Sequence, residues 1–444
     1  MKNTIRTYAY ENGEKQRVQI VQPDSWESLN FIMPPFSHAA FANLADLYDK
    51  YIVRRYSVIF GTVILFYLPE DIDFEYEEYD EEFGFIYDKL TACTLLFRNG
   101  ITVDGDRIRI NDEKVSLIYD LLEERQCLRV MKGRLNTLTI LPVGRTIGFL
   151  SDLPECTLKM NSSFFTMDLP DISTPYDRIG SPVGMYVKDE NVIYPPMHER
   201  DILTVDDEGA VSIHQQSEFR IRYMIDRIIF HEHNSAVYTR PAYKITPKGG
   251  YDIVVVNNEV IAMKPGGNTP VPSGGYVIKT SYAVTSFSDR TVRYGKLNGI
   301  AFTVQCGNSV IVNGERQRGF TSPFYDIRKP WTVSFPPSLY PLNYHRDRAP
   351  RMIIGADRKN DPMIIWIEGA GKFGYEKYVD SCGASLNESE LICERLGVQN
   401  AVHLDGGGSA QILYHDKRYL KLSDRNSRNY KEKERGVPLA IYIK

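Results

Sequence analysis

The stretch that most constrains this chain reads AVHLDGGGSAQILY and covers residues 401–414. An apolar run ends at the carboxylate of Asp405, three glycines and Ser409 follow, and a second apolar run begins. This pattern predicts a strand, a tight glycine loop and another strand. Glycines in a row weaken a strand through backbone entropy, so they need a physical reason. Either the turn requires φ values that only glycine takes easily, or a ligand packs on bare backbone whose N–H groups bind an anion.

Characteristic segments flank this stretch on both sides. Residues 385–397 read SLNESELICERLG and predict a helix, because Ser385 is a good N-cap and Glu388 completes a capping box. Upstream of the helix lies RAPRMIIGAD at 348–357, and near the end of the chain lies ERGVPLAIYI at 434–443. The order of these four segments is more informative than any one of them alone.

In this order the segments resemble the phosphodiester glycosidase family, whose pattern combines an R-x-P-R block, a G-x-x-L-x-E helix, a D-G-G-G-S loop and a late R-x-V. The resemblance extends upstream to about residue 131. There KMNSSFF (159–165) is similar to the family's N-G-G-F-F block, with serines in place of both glycines. His403 stands where the family commonly has asparagine. The resemblance implies a hydrolase that cleaves the glycosidic bond of sugar-1-phosphodiesters of the N-acetylhexosamine type and releases the sugar and a phosphomonoester.

Length and strand signals predict the domain organisation. The chain of 444 residues is long enough for a sizeable core and two domains. We predict an N-terminal α/β region of unknown role at 1–130, with helices near 39–51 and 115–125 and a hairpin at 97–110. The phosphodiester glycosidase-like catalytic domain is predicted at 131–444. Strands between turn signals dominate it, which indicates an α+β fold built on a largely antiparallel mixed sheet.

The implied reaction needs two kinds of group. An oxocarbenium-like centre must be stabilised, which glycosidases usually achieve with a carboxylate pair, and the charge on the departing phosphate must be held by arginines or amides. Asp405 is the first candidate for the carboxylate, because it ends a strand beside the glycine loop. The alternative is an Asp–Gly turn in which the side chain bonds its own backbone.

Three further residues are predicted to be catalytic, and each has a structural alternative. The guanidinium of Arg351 suits phosphate, but it could instead pair with a carboxylate on its strand. His403 lies on the same strand face as Asp405, but it could be a satisfied core histidine. Glu388 matches a family position, but the capping box already explains it. The predicted substrate-binding residues are Asn161, Ser162, Ser163, Phe164, Asp357, Gly406, Gly407, Gly408, Ser409 and Arg435.

Composition narrows the partners. The net charge of −4 gives no global field that would attract nucleic acid. No apolar stretch reaches the roughly 20 residues of a membrane-spanning helix, and the first residues lack the apolar core of a signal peptide, so we predict a cytoplasmic protein. The six cysteines have no C-x-x-C spacing; reduced thiols are favoured, and disulfide pairing stays open. The expected partner is a sugar-phosphodiester substrate, and the oligomeric state stays open.

Metal and cofactor signals are weak, and two other functions stay open. His231 and His233 share a strand face without an evident third ligand, so no metal and no cofactor is predicted. One alternative function is the hydrolysis of nucleotide-type phosphodiesters. The other is a non-catalytic sugar- or phosphate-binding module on the same fold, which Ser162 and Ser163 favour because they place side chains where the family keeps bare backbone.

Overall fold

The fold is known from a computed structural model, which describes residues 1–10, 12–35, 147–166, 174, 176–178, 180–198, 200–240, 242–317, 348–369, 375–425 and 431–444. Between residues 57 and 140 it describes the backbone of six short strands. The first strands in chain order are β1 (Lys2–Ala9), β2 (Lys15–Gln22), β3 (Asn30–Ile32), β4 (Ser57–Val58), β5 (Val63–Tyr67), β6 (Thr94–Arg98), β7 (Ile101–Asp104), β8 (Arg107–Ile110), β9 (Thr139–Ile140), β10 (Leu158–Asn161), β11 (Phe164–Phe165), β12 (Pro182–Val183), β13 (Tyr186–Lys188), β14 (Asn191–Tyr194), β15 (Ile202–Asp206) and β16 (Val211–His214).

The remaining strands are β17 (Tyr223–Ile225), β18 (Ile228–Phe230), β19 (Ser235–Thr239), β20 (Lys248–Val256), β21 (Glu259–Gly267), β22 (Gly275–Thr280), β23 (Val292–Tyr294), β24 (Ile300–Gln305), β25 (Ser309–Val312), β26 (Glu315–Arg316), β27 (Arg351–Asp357), β28 (Pro362–Ile367), β29 (Val398–His403), β30 (Ile412–Tyr414) and β31 (Ala440–Ile443). The α-helix α1 (Leu386–Leu396) and short 3-10 turns at Leu150–Asp152, Gln216–Glu218 and Gly407–Ser409 complete the described elements.

The predicted fold class is confirmed at the level of the sheets. Nearly all strand pairs are antiparallel and helix is scarce in the described part of the chain, as expected for a largely antiparallel α+β fold. The strands β7 and β8 pair antiparallel, which agrees with the hairpin predicted at 97–110. The helices predicted near 39–51 and 115–125 lie outside the described residues.

A seven-stranded sheet with the order β1-β2-β28-β27-β29-β25-β26 forms the centre of the molecule. Its inner strands are mostly apolar and buried: β28 is buried throughout, and β27 is buried from Arg351 to Ala356, as expected for strands covered on both faces. Met352 and Ile354 pack into one core, while Ile353 and Ile365 pack into another that includes residues of α1. The period-2 alternation of side chains explains why neighbours along β27 belong to different cores.

A second sheet, with the order β3-β31-β10-β30, packs against the first. Its strand β10 ends at Asn161, the first residue of the 161–165 block. Three further sheets lie in the middle of the chain, with the orders β14-β13-β24-β15-β16, β18-β17-β23 and β19-β22-β20-β21. The strands β11 and β12 form a separate antiparallel pair, and β11 is the last part of the 161–165 block.

The first 35 residues belong to the same sheets as the C-terminal strands. The strand β2 pairs with β28, with Ile20 opposite Ile365, and β3 pairs with β31. The sequence instead predicts one N-terminal region that runs to residue 130. Pro35 lies directly beside Gly148, where an added Cβ would collide with the Pro35 carbonyl oxygen. Residues 36–146 therefore leave and re-enter this fold at neighbouring points, and the strands described within that segment pair only with one another.

Two general properties follow from the described residues. Cys156, Cys306, Cys382 and Cys393 are free thiols there. No helix in the described ranges is long and apolar enough to span a membrane.

Candidate active site

Asp405 lies where the chain crosses from one sheet to the other. The strand β29 ends at His403, and Leu404 still donates from its backbone nitrogen to the Met352 carbonyl over 2.8 Å. The Asp405 nitrogen then donates to the Ser162 carbonyl over 3.2 Å, on the chain that continues β10. The Asp405 side chain is only 8% exposed. Asp405 therefore follows closely on a strand end beside the glycine loop, and its side chain is buried.

Asn161 holds both ends of the glycine loop. Its Nδ2 donates to the Asp405 carbonyl over 2.7 Å, and its Oδ1 accepts from the Gln411 nitrogen over 3.1 Å. The hydroxyl of Ser162 donates to the Leu439 carbonyl over 3.0 Å. Both side chains are fully buried, so they position the loop instead of presenting polar atoms to a ligand as the sequence predicts.

The loop amides are largely used by the protein itself. The Gly407 nitrogen donates to the Pro350 carbonyl over 2.9 Å, and the Ser409 nitrogen donates to the Gly406 carbonyl over 3.1 Å. An anion-binding row of loop amides is therefore not what the glycines serve. Gly407 adopts a φ of 57°, and a Cβ on Gly406 would approach the Pro350 carbonyl oxygen to 2.7 Å. Both reasons, the positive φ and the close approach, require glycine.

An ion pair packs on the third glycine. The Nε of Arg435 lies 2.8 Å from Oδ2 of Asp424, and its Nη2 lies 3.0 Å from Oδ1, which is a bidentate pair. A Cβ on Gly408 would overlap with Nη2 of Arg435 and with both carboxylate oxygens of Asp424. The side chain of Arg435 is 7% exposed and that of Asp424 is 11% exposed, so water screens this pair weakly.

The environment of Asp405 shifts the pKa of its carboxyl to near neutral pH. Burial, above all, raises the pKa of the Asp405 carboxyl to about 7, and the negative charge of Asp424 acts in the same direction. The Ser409 hydroxyl, the Arg435 charge and the Gly406 amide lower it. The Ser409 Oγ is fully buried and makes no hydrogen bond of good geometry with the described residues, although it lies close enough to act on the carboxylate.

A thiol and a second guanidinium border Asp405 on the side of the 161–165 block. Burial raises the pKa of the Cys306 thiol, and the Asp405 charge raises it further while Arg200 opposes this. The Cys306 Sγ accepts from the Phe164 nitrogen over 3.2 Å. The guanidinium of Arg200 lies over the Phe164 ring at 4.9 Å and donates from Nη1 to the Cys306 carbonyl over 2.6 Å. Of the predicted block, Asn161 and Ser162 therefore bond the Asp405 backbone directly, while Phe164 contacts the thiol and the guanidinium beside it.

Arg351 and His403 lie close enough for the charge of Arg351 to act on the imidazole. The pairing of Ile353 with His403 continues toward Arg351 and Asp405, so β27 brings Arg351 next to the start of the glycine loop. The Nε of Arg351 donates to the Ala384 carbonyl over 2.9 Å. Burial lowers the pKa of His403 to about 3, and the Arg351 charge contributes. The imidazole is therefore a buried group that is neutral near pH 7.

Glu388 has the structural role that its sequence position also allowed. Its Oε2 accepts from the Ser385 nitrogen over 2.9 Å, and the Ser385 hydroxyl accepts from the Glu388 nitrogen, which completes the capping box. Arg348 donates to both of its carboxylate oxygens, at 2.7 to 3.0 Å. These contacts lower the pKa of Glu388 despite its partial burial. A carboxylate held in this way is ionised and occupied, so the prediction that Glu388 is catalytic is not supported by its contacts.

Asp357 is remote from the loop. It ends β27 at the turn to β28, where its Oδ1 accepts from the Lys359 nitrogen over 2.7 Å. The other end of the same strand, Arg351, is the one that adjoins Asp405. Asp357 is a turn residue and does not belong to the site with which the sequence grouped it.

The structure adds residues that the sequence did not single out. Asp424, Arg200 and Cys306 come from three separate segments, and none of them stands in a local motif with a recognisable period or spacing. Arg435, which the sequence predicted to bind substrate, carries a charge that lowers the pKa of Asp405. Among the described residues no group of three potential metal ligands lies together. The paired rings of His231 and His233 stand 5.6 Å apart at the surface.

A buried carboxyl that titrates near neutrality, beside a second carboxylate and a guanidinium at the end of a strand, defines a candidate hydrolase site of the paired-carboxylate kind.

Comparison with known proteins finds a family match for the C-terminal part of the chain. Residues 250–444 match the model of the phosphodiester glycosidase family, which confirms the resemblance seen in the sequence for that part of the chain. The 161–165 block lies outside the matched residues, so the correspondence of its residues stays a prediction.

Three solved structures match the chain at low sequence identity and low TM-score. A hypothetical protein from Synechocystis is 15% identical with a TM-score of 0.41, and the match covers 99% of this chain and 61% of that protein. The catalytic domain of zebrafish N-acetylglucosamine-1-phosphodiester α-N-acetylglucosaminidase, auto-inhibited by its pro-peptide, is 12% identical with a TM-score of 0.34 and coverages of 68% and 67%. A protein from Burkholderia pseudomallei that is named as exported is 15% identical with a TM-score of 0.40, and the match covers 100% of this chain and 96% of that protein. No curated protein matches the chain significantly.

Proposed function

We propose that this chain hydrolyses the glycosidic bond of a sugar-1-phosphodiester of the N-acetylhexosamine type, releasing the sugar and a phosphomonoester. The observation that carries the proposal is the buried Asp405 carboxyl, with a pKa of about 7, in the segment that matches the phosphodiester glycosidase family. A carboxyl of this kind changes its charge in the pH range in which an enzyme works.

Asp405 is the reacting carboxylate in this proposal. Burial makes its ionised form poorly solvated, which is why its pKa is raised. An anion in such a place gains more than a solvated one from a positive charge that develops next to it. The oxocarbenium-like centre of glycoside cleavage is such a charge, and it exists only in the transition state. Ionised Asp405 therefore stabilises the transition state more than the bound substrate.

The charges around Asp405 suit an anionic substrate. Arg435 pairs with Asp424, the guanidinium of Arg200 donates to the Cys306 carbonyl, and that of Arg351 donates to the Ala384 carbonyl. These cations offset the negative charge of Asp405 and of the phosphodiester. The phosphate departs as a stable anion, so the proposal does not require a strong general acid.

The test is a screen of sugar-1-phosphodiesters, nucleotide sugars and nucleotide-type diesters for products, with two matched variants. We expect reducing sugar from N-acetylhexosamine-1-phosphodiesters. Asp405→Asn is expected to lower turnover by on the order of 10² to 10³ while substrate affinity stays close to that of the wild type. Glu388→Gln is the control, because glutamine can maintain the capping box and the site is not altered. It is expected to retain turnover.

Each other outcome identifies a different function. Release of a sugar phosphate instead of a free sugar would indicate cleavage at phosphorus, as in a nucleotide-type phosphodiesterase. Binding without any product would indicate a non-catalytic module. Wild-type turnover by Asp405→Asn would show that Asp405 is only a turn residue, and the proposed mechanism would be wrong.

A further inference from the structure

The carboxylate of Asp424 is held at the glycine loop by the fold around it. Leu420 and Leu422, just before it in the chain, are buried in the same core as Leu404 and Ile412. The Asp424 carbonyl accepts from the Lys433 nitrogen over 2.8 Å, which ties together the two arms of a hairpin that ends at Arg435. The backbone that carries Asp424 and the backbone that carries Arg435 are thus fixed relative to each other.

The pair can occupy one position only. Both ends of the guanidinium–carboxylate pair are bidentate, at 2.8 and 3.0 Å, and the two side chains lie against the Cα of Gly408 with no room for even a methyl group between them. Because bidentate pairs have a fixed plane, this contact determines where the Arg435 charge stands relative to the loop. Asp405 begins the same loop, three residues earlier.

We propose that Asp424 is a positioning residue for Asp405: by holding the Arg435 guanidinium on Gly408, it fixes the balance of positive and negative charge at the Asp405 carboxylate and so controls when Asp405 carries a proton. The proposal rests on the proposed function, in which Asp405 is the reacting carboxylate. It adds a residue that no sequence pattern indicates and assigns it an action through Arg435 instead of through the substrate.

The two members of the pair act on Asp405 with opposite signs. Asp424 raises the pKa of Asp405 and Arg435 lowers it, alongside the lowering by the Ser409 hydroxyl and the Gly406 amide. On the other side of Asp405 stand the Cys306 thiol and the Tyr186 phenol, whose pKa values are raised by burial, so both are uncharged near neutrality. The charge of Arg200 acts on both of these groups.

These signs make the outcome of substitution unambiguous. Removing the charge of Asp424 removes a repulsion and also frees Arg435 to turn to Asp405, and both effects favour ionised Asp405. Removing the charge of Arg435 removes an attraction and leaves Asp424 unpaired, and both effects favour protonated Asp405. The two substitutions therefore move the titration of Asp405 in opposite directions.

The experiment follows the side-chain carboxyl resonance of Asp405 by NMR as a function of pH in protein labelled with ¹³C-aspartate. The resonance is identified by its loss in Asp405→Asn. We expect Asp424→Asn to lower the titration midpoint by about one pH unit and Arg435→Gln to raise it by about one pH unit. Glu432→Gln is the matched control: it removes one negative charge from the same hairpin, from an exposed carboxylate that accepts from the Leu422 nitrogen and does not act on Asp405. It is expected to leave the midpoint unchanged.

The second readout is the pH profile of turnover. Because the ionised form of Asp405 is the active one, its rising limb should move with the NMR midpoint, to lower pH in Asp424→Asn and to higher pH in Arg435→Gln. Unshifted midpoints in both variants would overturn the proposal and reduce the pair to a structural contact. If Asp424→Asn does not fold, Arg435→Gln alone decides between these outcomes. Shifted midpoints in a protein that cleaves no phosphodiester would sustain the positioning role and refute the proposed function.

Discussion

At the scale of the residue, Asp405 combines a chemical use with a cost in stability. In the unfolded chain its pKa is near the ordinary value of 3.8, and in the folded chain it is about 7. Between these values the folded state binds more protons than the unfolded state, so this residue makes the free energy of unfolding fall as the pH rises from about 4 to about 7. The ionised carboxylate is thus a destabilised group in the ground state.

Asp405→Asn is accordingly expected to raise stability at high pH. The gain should be on the order of 2–4 kcal/mol above pH 7, where the wild-type carboxylate is buried and charged, and it should vanish near pH 4, where both residues are neutral. Thermal unfolding of wild type and variant between pH 4 and pH 8.5 measures the difference. His198 and His403, whose pKa values are lowered to about 3 by burial, are common to both proteins and cancel in the comparison. A gain that does not depend on pH would show that Asp405 titrates normally.

At the scale of the element, local signals in the sequence identified most of the pieces but few of the partners. The strand before Asp405, the glycine loop and the capping box of α1 depend on neighbouring residues, and all three are present where predicted. The pairing of Arg435 with Asp424 depends on how a hairpin folds onto Gly408, and the placement of Arg200 depends on Cys306, which is 106 residues away in the chain. No local propensity encodes such contacts. The same limitation explains why Asp357, a turn residue, was grouped with the site.

Gly408→Ala tests whether the loop is shaped by the ion pair. The added methyl group would overlap with Arg435 and Asp424, so the pair must separate or the loop must move. We expect a loss of about 1–3 kcal/mol in the free energy of unfolding and a fall in turnover on the order of 10²-fold. Gly397→Ala is the control. Gly397 also has a positive φ, of 78°, but there an added Cβ meets nothing within 4 Å. It should lose about 1 kcal/mol and keep its turnover. Equal turnover in both variants would contradict a close-packed loop.

At the scale of the whole molecule, the described fold is discontinuous in sequence. The family resemblance in the sequence begins near residue 131, which is why a domain boundary is predicted there. The start of a set of motifs need not coincide with the boundary of a folded unit. The apolar side chains of Val18, Ile20, Val21, Trp26 and Leu29 are buried among the C-terminal strands. Burial of this kind has no distinct pattern in a short N-terminal hairpin, which is why the sequence assigned residues 1–35 to the N-terminal region.

The last prediction compares two truncated chains. The fragment 131–444 lacks β1, β2 and β3, so it exposes the edge of β28 and loses five large buried side chains, at roughly 1.5–3 kcal/mol each. That total is comparable to the whole stability of a typical domain, so we expect the fragment to be insoluble or unfolded. A chain in which a short Gly/Ser linker replaces residues 36–146 should fold, because Pro35 and Gly148 already lie side by side. Circular dichroism and thermal unfolding of both proteins give the answer. A cooperatively folded 131–444 fragment would show that the core does not need residues 1–35, and an unfolded linker protein would show that it does need residues 36–146.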